Sequence, residues 1–479
     1  MSSKTAAAII WFRKDLRLSD NLAVLAALEH GGPVIPLYIH EKTGGALGGA
    51  QEWWLHHSLT ELSGALEKKG SHLLLASGKA ETVLRELIST TGADAVFWNR
   101  RYDPDGIAED KALKQKLRDE GLTVRSFSGH LLHEPSRLKT KSGGPYRVYT
   151  PFWRAIEGGD EPHAPADAPK SLKAPETWPK SETLSDWKLL PTKPDWAKHF
   201  GDVWTPGEKA ARKKLDDFVD GALKGYEEGR DFPAKDATSL LSPHLALGEI
   251  SPATVWHATK GLSRHIASND ISRFRKEIVW REFCYHLLFH FPELDEKNWN
   301  DSFDAFAWRD DETSFKAWTR GMTGYPIVDA GMRQLWKHGV MHNRVRMIVA
   351  SFLIKHLLID WRKGEKWFRD TLVDADPASN AANWQWVAGS GADASPFFRV
   401  FNPILQGEKF DGDGEYVRRF VPELEKLESK YIHKPFEAPK EALKKAGVEL
   451  GKTYPLPIVD HSKGRERALA AYSRIKKDA

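Results

Sequence analysis

Short apolar runs alternate with amphipathic helix patterns along residues 1–132. Such runs are typical of buried strands, and they fall at Ala6–Phe12, Val34–Ile39, Ser71–Ala76, Ala95–Trp98 and Thr123–Phe127. Helix patterns separate them at Asn21–Glu29, Gln51–Lys69, Ala80–Thr90 and Ile107–Glu120. Because parallel strands need crossover helices, the alternation predicts a doubly wound α/β domain with a parallel sheet. No glycine stands in Arg13–Arg17 after the first strand, so the dinucleotide fingerprint is absent there.

Proline punctuates the next part of the chain, and residues 158–206 hold eight of the 27 prolines. Proline fixes φ and has no N–H to donate, so neither a helix nor a strand is sustained there. We therefore predict an interdomain connector at residues 133–206.

The remainder, residues 207–479, shows helical periodicity without strand alternation, which predicts an all-α domain. The predicted helices are Lys209–Leu223, Pro252–Lys260, Ser272–Phe291, Ser314–Arg320, Ile327–His338, His342–Asp360 and Gly364–Leu372.

Composition narrows the class of protein. The single cysteine, Cys284, forbids an intrachain disulfide and favours a reducing, cytoplasmic location. No apolar run approaches the ~20 residues of a membrane helix, so no membrane role is expected. The net charge of +4 permits a local basic face but does not prove a nucleic-acid partner. The 19 tryptophans suggest large aromatic cores, or a role that needs indoles, such as stacking on bases or carrying electrons.

One predicted helix, Ser272–Phe291, interleaves basic and aromatic residues. Glu277, Trp280 and Arg281 share a face there, which combines a hydrogen-bond acceptor, a flat ring and a cation. Such a set could read a base edge and stack on it, or it could be a solvated face with a surface ion pair.

Metal sites have weaker signals. Asp374 and Asp376 could form a magnesium pair, but a lone pair of aspartates is common by chance. His286 and His290 are spaced as in a zinc helix, yet the glutamate is misplaced, so ordinary hydrogen-bonded histidines are favoured. We predict no metal.

Seven segments, in order along nearly the whole chain, resemble signatures of the photolyase–cryptochrome family. They are Trp11–Asn21, Thr238–Ser251, Trp280–Phe283, Thr323–Asp329, Met341–Met347, Asn383–Trp386 and Phe401–Pro403. The resemblance implies an antenna-type α/β domain at 1–132, the connector, and a helical FAD- and DNA-binding domain at 207–479. It replaces the magnesium interpretation of the two aspartates by a flavin role.

The resemblance implies a set of FAD contacts in which Asn380 faces flavin N5. The set is Tyr226, Thr238, Ser239, Leu240, Leu241, Ser242, Arg346, Asp374, Asp376 and Asn380. It also implies three electron-relay positions, which are Trp384, Trp361 and Trp308.

For the substrate, the resemblance implies UV-damaged DNA whose lesion is flipped out of the helix. Glu277 falls at the carboxyl that bonds the damaged bases, Asn343 at a cavity position with a catalytic role, and Met347 also in the cavity lining. Trp280 and Trp386 resemble the aromatic clamp. The phosphate and cavity contacts would be Arg230, Arg281, Arg344 and Lys409.

Within the family we expect a monomeric enzyme, a deoxyribodipyrimidine photolyase, which repairs cyclobutane pyrimidine dimers with an electron from excited, reduced FAD. The 6-4 enzymes place histidines at the positions of Asn343 and Met347, and plant-type cryptochromes usually carry aspartate at that of Asn380. A signalling cryptochrome and a DASH-type protein remain alternatives, with a 6-4 photolyase behind them.

The antenna chromophore is less constrained. Many folate-binding members carry an Asn-Glu pair after the fourth strand, whereas Tyr102–Gly106 departs from that pattern. Methenyltetrahydrofolate is favoured over a deazaflavin, no antenna at all also remains open, and no antenna residues are assigned.

Overall fold

The computed structural model describes residues 5–41, 47–394 and 398–477, which divide into two compact units. The sheet unit comprises Met1–Trp196, Trp204–Lys224 and Ser239–Pro292. The helical unit comprises Ala197–Val203, Gly225–Thr238 and Glu293–Ala479. The domain boundaries at residues 132 and 206 stay a prediction.

Five parallel strands form one sheet in the order β3-β2-β1-β4-β5. Their bounds are β1 Ala8–Phe12, β2 Val34–His40, β3 Leu74–Ser77, β4 Ala95–Asn99 and β5 Thr123–Phe127. The central strand β1 is buried along its whole length, as expected where helices cover both faces of a parallel sheet. The third strand starts later than predicted, at Leu74, because its pairing with β2 begins at Leu37 and Leu74. The predicted α/β class is confirmed.

The α-helices are divided between the two units, and α1 and α4 contact strands of the sheet. In chain order they are α1 Leu22–His30, α2 Gly49–Glu67, α3 Ala80–Thr91, α4 Pro104–Asp119, α5 Tyr149–Glu157, α6 Glu208–Asp220, α7 Tyr226–Gly229, α8 Ser242–Ala246, α9 Pro252–Ala258, α10 Ser268–His290, α11 Glu312–Thr319, α12 Pro326–His338, α13 Asn343–Ser351, α14 Trp361–Thr371, α15 Pro377–Ala388, α16 Pro403–Phe410, α17 Glu415–Phe420, α18 Lys440–Ala446 and α19 His461–Lys477. No helix of the described ranges is both long and apolar enough to cross a bilayer.

The predicted connector, residues 133–206, contains the helix α5 and then an irregular, proline-rich part. Residues 158–206 contain two short 3-10 turns, Leu184–Trp187 and Phe200–Asp202, and no α-helix or strand. Part of it runs beside β3, where the N–H of Glu182 donates to the carbonyl of Leu75 at 2.8 Å. The N–H of Ser77 in turn donates to the Glu182 carboxylate at 3.1 Å.

The predicted helix His342–Asp360 consists of two elements in the structure. Helix α13 ends at Ser351, and a π-helical turn, Phe352–His356, follows it. Leu358 then adopts a left-handed φ of 54°, which ends the helical run, and the Asp360 side chain caps α14.

Candidate functional site

Trp280 lies on α10 of the sheet unit, and its ring stacks flat against Tyr149. The two ring centroids are 3.6 Å apart and the planes differ by 4°. The Tyr149 hydroxyl donates to the Lys276 carbonyl at 2.7 Å, one helical turn before Trp280. Trp280 itself is half-buried, so the residue is not fully enclosed by the protein. Sequence reasoning missed Tyr149, because no local pattern links it to α10.

Glu277 lies three residues before Trp280 on the same helix. Its carboxylate pairs with Arg273 at 3.9 Å, and 28% of its side chain is exposed. An ionised carboxylate can only accept hydrogen bonds, so the group can bind N–H donors of a base.

Arg281, the third predicted residue on α10, turns inward. Its guanidinium donates to the His130 carbonyl at 2.8 Å and to the His130 ring at 2.6 Å. Since arginine cannot accept, Nε2 of His130 is the acceptor and the ring is neutral. Burial and the nearby Arg281 lower the pKa of His130 well below its ordinary value. This position gives no support to a phosphate contact by Arg281, which stays a prediction.

The segment 239–242 contains a strained residue. Leu240 has a φ of 50°, which is uncommon for a residue with a side chain, and it is 36% exposed. The backbone N–H of Leu241 donates to the Ser239 hydroxyl at 3.4 Å, and Ser242 begins α8. Strain of this kind persists where surrounding structure enforces it and is frequent at ligand sites.

In the helical unit, two predicted arginines are joined to one aspartate. Arg344 pairs with Asp231 at 2.8 Å, and Arg230 lies 3.9 Å from the same carboxylate. Arg230 is 7% exposed and lies over the ring of Tyr226 at 5.5 Å, whereas Lys409 is exposed. Lys409 is therefore better placed than Arg230 to reach a phosphate in solution.

The two aspartates considered for magnesium have separate roles. Asp374 pairs with Arg346, whose Nη2 lies 2.8 and 3.1 Å from its two oxygens. Asp376 instead accepts the N–H of Ser379 at 2.7 Å and caps α15. Among the described residues, no group of three or more His, Cys, Asp or Glu side chains could hold a metal ion.

Asn380 is oriented by a buried carboxylate that the sequence did not single out. Its amide nitrogen donates to the Glu365 carbonyl at 3.0 Å and to the Glu365 carboxylate at 2.8 Å. Arg369 donates to the same carboxylate at 2.8 Å. Burial raises the pKa of Glu365, which Arg369 opposes. Both amide hydrogens are used, so the Asn380 oxygen remains as the group that can accept.

The three predicted relay tryptophans belong to one core of the helical unit. Trp384 is 3% exposed and rests on α14, where a Cβ added to Gly364 would lie 2.2 Å from its ring. Trp361, the first residue of α14, is fully buried and donates to the Asn298 amide oxygen at 3.0 Å. Trp308 packs against the same core but is only half-buried.

Trp386 lies two residues beyond Trp384, which turns it to another side of α15. Its ring is half-buried, and Nε1 donates to the Asp393 carbonyl at 3.2 Å. Burial and exposure thus separate two tryptophans that look alike in the sequence.

Asn343 and Met347 are four residues apart at the start of α13 and so share one helix face. Asn343 is exposed and Met347 half-buried. The preceding His342 accepts the N–H of Arg344 at 3.2 Å and caps this helix. Burial lowers the pKa of His342 to about 4, so its ring is neutral at pH 7.

Comparison with known proteins matches two parts of the chain to photolyase families. Residues 8–170 match the family described as DNA photolyase, and residues 274–474 match the FAD binding domain of DNA photolyase. The chain is 86% identical to a deoxyribodipyrimidine photo-lyase of Agrobacterium fabrum, over 100% of both chains. It is 37% identical to cryptochrome-1 of Arabidopsis thaliana, over 98% of this chain and 70% of that protein.

A solved structure gives the same result. The chain superimposes on a bacterial class III photolyase from Agrobacterium tumefaciens with a TM-score of 0.98 and 86% identity, covering 100% of this chain and 99% of the other. Matches of this extent decide the family. The chain belongs to the photolyase–cryptochrome family, and it carries that family's FAD-binding domain.

Proposed function

We propose that this chain is a deoxyribodipyrimidine photolyase, a carbon–carbon lyase that uses light to split cyclobutane pyrimidine dimers in DNA. The observation that carries the proposal is the 86% identity, end to end, with a deoxyribodipyrimidine photo-lyase. Asn343 and Met347 support the choice of lesion, because 6-4 enzymes have histidines at these positions.

The chemistry of the donor set fits FAD. The hydroxyls of Thr238, Ser239 and Ser242 and the Arg346–Asp374 pair are groups that bind phosphate and ribityl oxygens. When bound and reduced, FAD supplies on excitation the electron that splits the dimer. The proposed flavin contacts are Tyr226, Thr238, Ser239, Leu240, Leu241, Ser242, Arg346, Asp374, Asp376 and Asn380.

Asn380 holds a defined orientation for this role. Glu365 takes both amide hydrogens, so the amide oxygen is the group that would accept the N5 hydrogen of reduced flavin. In this proposal Glu365 fixes the amide, and the amide orients the ring.

On the DNA side, extrusion of the lesion is easier than extrusion of a paired base, because the dimer already stacks and pairs poorly. Trp280 and Trp386 would each stack on the extruded bases, and Glu277 would bond their N–H groups. Lys409 is the best-placed phosphate contact. Arg230 and Arg344 lie beside Asp231, and Arg281 donates to the His130 carbonyl, so these three also have contacts within the protein. Neutral Asn343 and Met347 would line the lesion cavity.

The relay proposal concerns restoration of the reduced cofactor. Trp384, Trp361 and Trp308 would pass a hole outward after light excites the oxidised flavin. The increase in exposure from Trp361 to Trp308 supports this direction, because a cation is better solvated near the surface.

An antenna chromophore is also proposed, with methenyltetrahydrofolate favoured over a deazaflavin. Open parallel sheets take ligands where the strand order reverses, at the carboxyl ends of β1 and β4. Here Arg13 bonds Asp110 at 2.6 Å and Asn99 bonds Asp15 at 2.7 Å, so protein side chains occupy that position. No antenna residues are assigned there. An absorption spectrum of the purified protein, with or without a near-ultraviolet folate band, tests the assignment.

We also propose a cytoplasmic monomer whose macromolecular partner is UV-damaged DNA. The single cysteine is consistent with a reducing compartment. Light scattering coupled to gel filtration tests the monomer.

Repair is tested with duplex DNA that carries a single cyclobutane thymine dimer. The reduced enzyme should restore the thymines under blue or near-ultraviolet light and not in the dark. Equal or faster turnover of a 6-4 photoproduct contradicts the choice of lesion. Failure on both lesions, with FAD bound, favours signalling, which the 37% identity to a plant cryptochrome makes the alternative function. Faster repair of single-stranded than duplex substrate favours the DASH type.

A further inference from the structure

The flat contact between Tyr149 and Trp280 is unusual in its geometry. Aromatic pairs ordinarily prefer offset or edge-on arrangements with centroids 4.5–7 Å apart. These two rings lie 3.6 Å apart and within 4° of parallel. A stack this close needs other contacts to maintain it.

Tyr149 is held by two further contacts, and its ring neighbour Phe283 also contacts Trp280. Its hydroxyl donates to the Lys276 carbonyl, which belongs to the helical turn that ends at Trp280. Its ring meets Phe283 edge-on with centroids 5.9 Å apart, and Phe283 meets Trp280 edge-on at 5.8 Å. Only 7% of Tyr149 is exposed. The tyrosine is thus fixed to the same helix whose tryptophan it covers.

The phenol also stays a hydrogen-bond donor. Burial, reinforced by the charge of Glu277, raises the pKa of Tyr149 well above its ordinary value. The phenol is therefore protonated at neutral pH and can donate to the Lys276 carbonyl.

We propose that Tyr149 is a positioning residue for lesion recognition. It covers one face of Trp280 and holds the indole flat, so that an extruded pyrimidine stacks on the face that Tyr149 leaves uncovered. This inference rests on the proposed role of Trp280 in stacking. If the indole of Trp280 became fixed only when DNA binds, its lost rotamer freedom would oppose binding. Tyr149 removes that cost because it fixes the indole beforehand.

The test compares variants of Tyr149 in binding to duplex DNA with and without a cyclobutane dimer. Tyr149→Leu keeps a buried apolar side chain but removes the ring and the hydroxyl. It should weaken binding of the damaged duplex about tenfold, the effect expected for one freed rotamer-rich side chain. Binding of undamaged DNA and the salt dependence should not change, because neither depends on the stack. Tyr149→Phe keeps the ring but loses the hydroxyl that anchors it to the Lys276 carbonyl, so it should lose about two- to threefold.

Phe152→Leu provides the matched control. Phe152 lies on the same helix, α5, is fully buried and packs on Phe283 with centroids 5.3 Å apart. It reports what the loss of a buried ring from α5 does to the fold, and it should leave the ratio of damaged to undamaged binding unchanged. An equal loss of that ratio in Phe152→Leu overturns the proposal.

A double-mutant cycle with Trp280→Ala separates the positioning role of Tyr149 from the stacking role of Trp280. Once Trp280 is absent, Tyr149→Leu should have no further effect on lesion binding. If Tyr149→Leu weakens binding as much in the Trp280→Ala background as in the parent, the positioning role is wrong while the stacking role stands. If Trp280→Ala itself leaves lesion binding intact, the stacking role fails first. Should Tyr149→Leu not fold, Tyr149→Phe in the same cycle gives the answer at smaller amplitude, and a zero coupling there also overturns the proposal.

Discussion

Trp280 of the sheet unit and Trp361 of the helical unit show two ways in which a protein surrounds an indole. Trp280 is half-buried, with one face covered by Tyr149. Trp361 is fully buried, and its N–H is bonded to Asn298. A ring that must stack on a base needs an uncovered face, whereas a ring that only passes an electron can be enclosed. The surroundings, rather than the residue type, therefore decide which of the two proposed roles each tryptophan fits.

The largest expected effect comes from Trp384, which is enclosed in the same core as Trp361. Trp384→Phe keeps an aromatic ring on α15 and should retain FAD, at a packing cost of about 1–2 kcal/mol. It should strongly slow photoreduction of the flavin, because the proximal donor is gone. Repair by enzyme that has been reduced chemically should be nearly intact. Time-resolved absorption of the oxidised protein measures the first effect, and a repair assay the second.

Trp11→Phe is the control for that variant, since Trp11 is an enclosed indole of the sheet unit, 1% exposed. It should photoreduce at the parent rate. Parental photoreduction in Trp384→Phe with FAD still bound would remove Trp384 from the relay and break the comparison.

The half-buried group gives the next largest effect. Trp280→Ala should weaken binding of dimer-containing DNA by about 1–3 kcal/mol, the usual contribution of a base–aromatic stack. Photoreduction should continue at the parent rate, because the ring is outside the proposed relay. Titration of labelled duplexes measures the affinity. A similar loss for undamaged DNA would assign Trp280 a structural role instead.

Gly364→Ala tests how closely the enclosed tryptophans are packed. The added methyl would lie 2.2 Å from the Trp384 ring, so the ring or α14 must shift. We expect a loss of about 1–3 kcal/mol in the free energy of unfolding, as for other overpacked cores. Denaturant titration measures it, with Gly64→Ala as the control, because nothing lies within 4 Å of a Cβ at that helical glycine. Equal stability of the two variants would contradict the described contact.

The smallest effect concerns charge rather than stacking. Lys409→Gln should flatten the slope of log K against log salt by about one unit, since one phosphate contact is lost. Damaged and undamaged DNA should be affected alike, in contrast to Trp280→Ala. Binding isotherms at several salt concentrations measure the slope, and an unchanged slope excludes Lys409 as a phosphate contact.

The sequence predicts the fold better than the site. The strands and helices depend on residues that are close in the sequence, whereas the site depends on contacts between residues that are far apart in it. The strand predicted at Ala95–Trp98 is β4, Ala95–Asn99, which is buried along its whole length, since a buried strand is a local apolar pattern. The stack of Tyr149 on Trp280 and the bond from Asn380 to Glu365 join residues on different helices. Such contacts follow from packing, so neither periodicity nor motif spacing indicates them.

Arg281 shows the same limit from the other side. Its motif position resembles that of a DNA contact, yet its guanidinium donates hydrogen bonds to the ring and the carbonyl of His130. Sequence gives a residue's identity and its neighbours along the chain, whereas the direction of a long side chain depends on which acceptors the fold brings near.

The connector's bonds to β3 have a consequence for solubility. β3 is the last strand on its side of the sheet, and an unprotected edge strand is a template for pairing between molecules. On that edge the Leu75 carbonyl accepts the N–H of Glu182, while the N–H groups of Leu75 and Ser77 donate to the Ser181 hydroxyl and the Glu182 carboxylate. The prolines on either side of this short stretch have no N–H with which to recruit a further strand. This part of the predicted connector therefore covers the edge of β3 against pairing with another molecule.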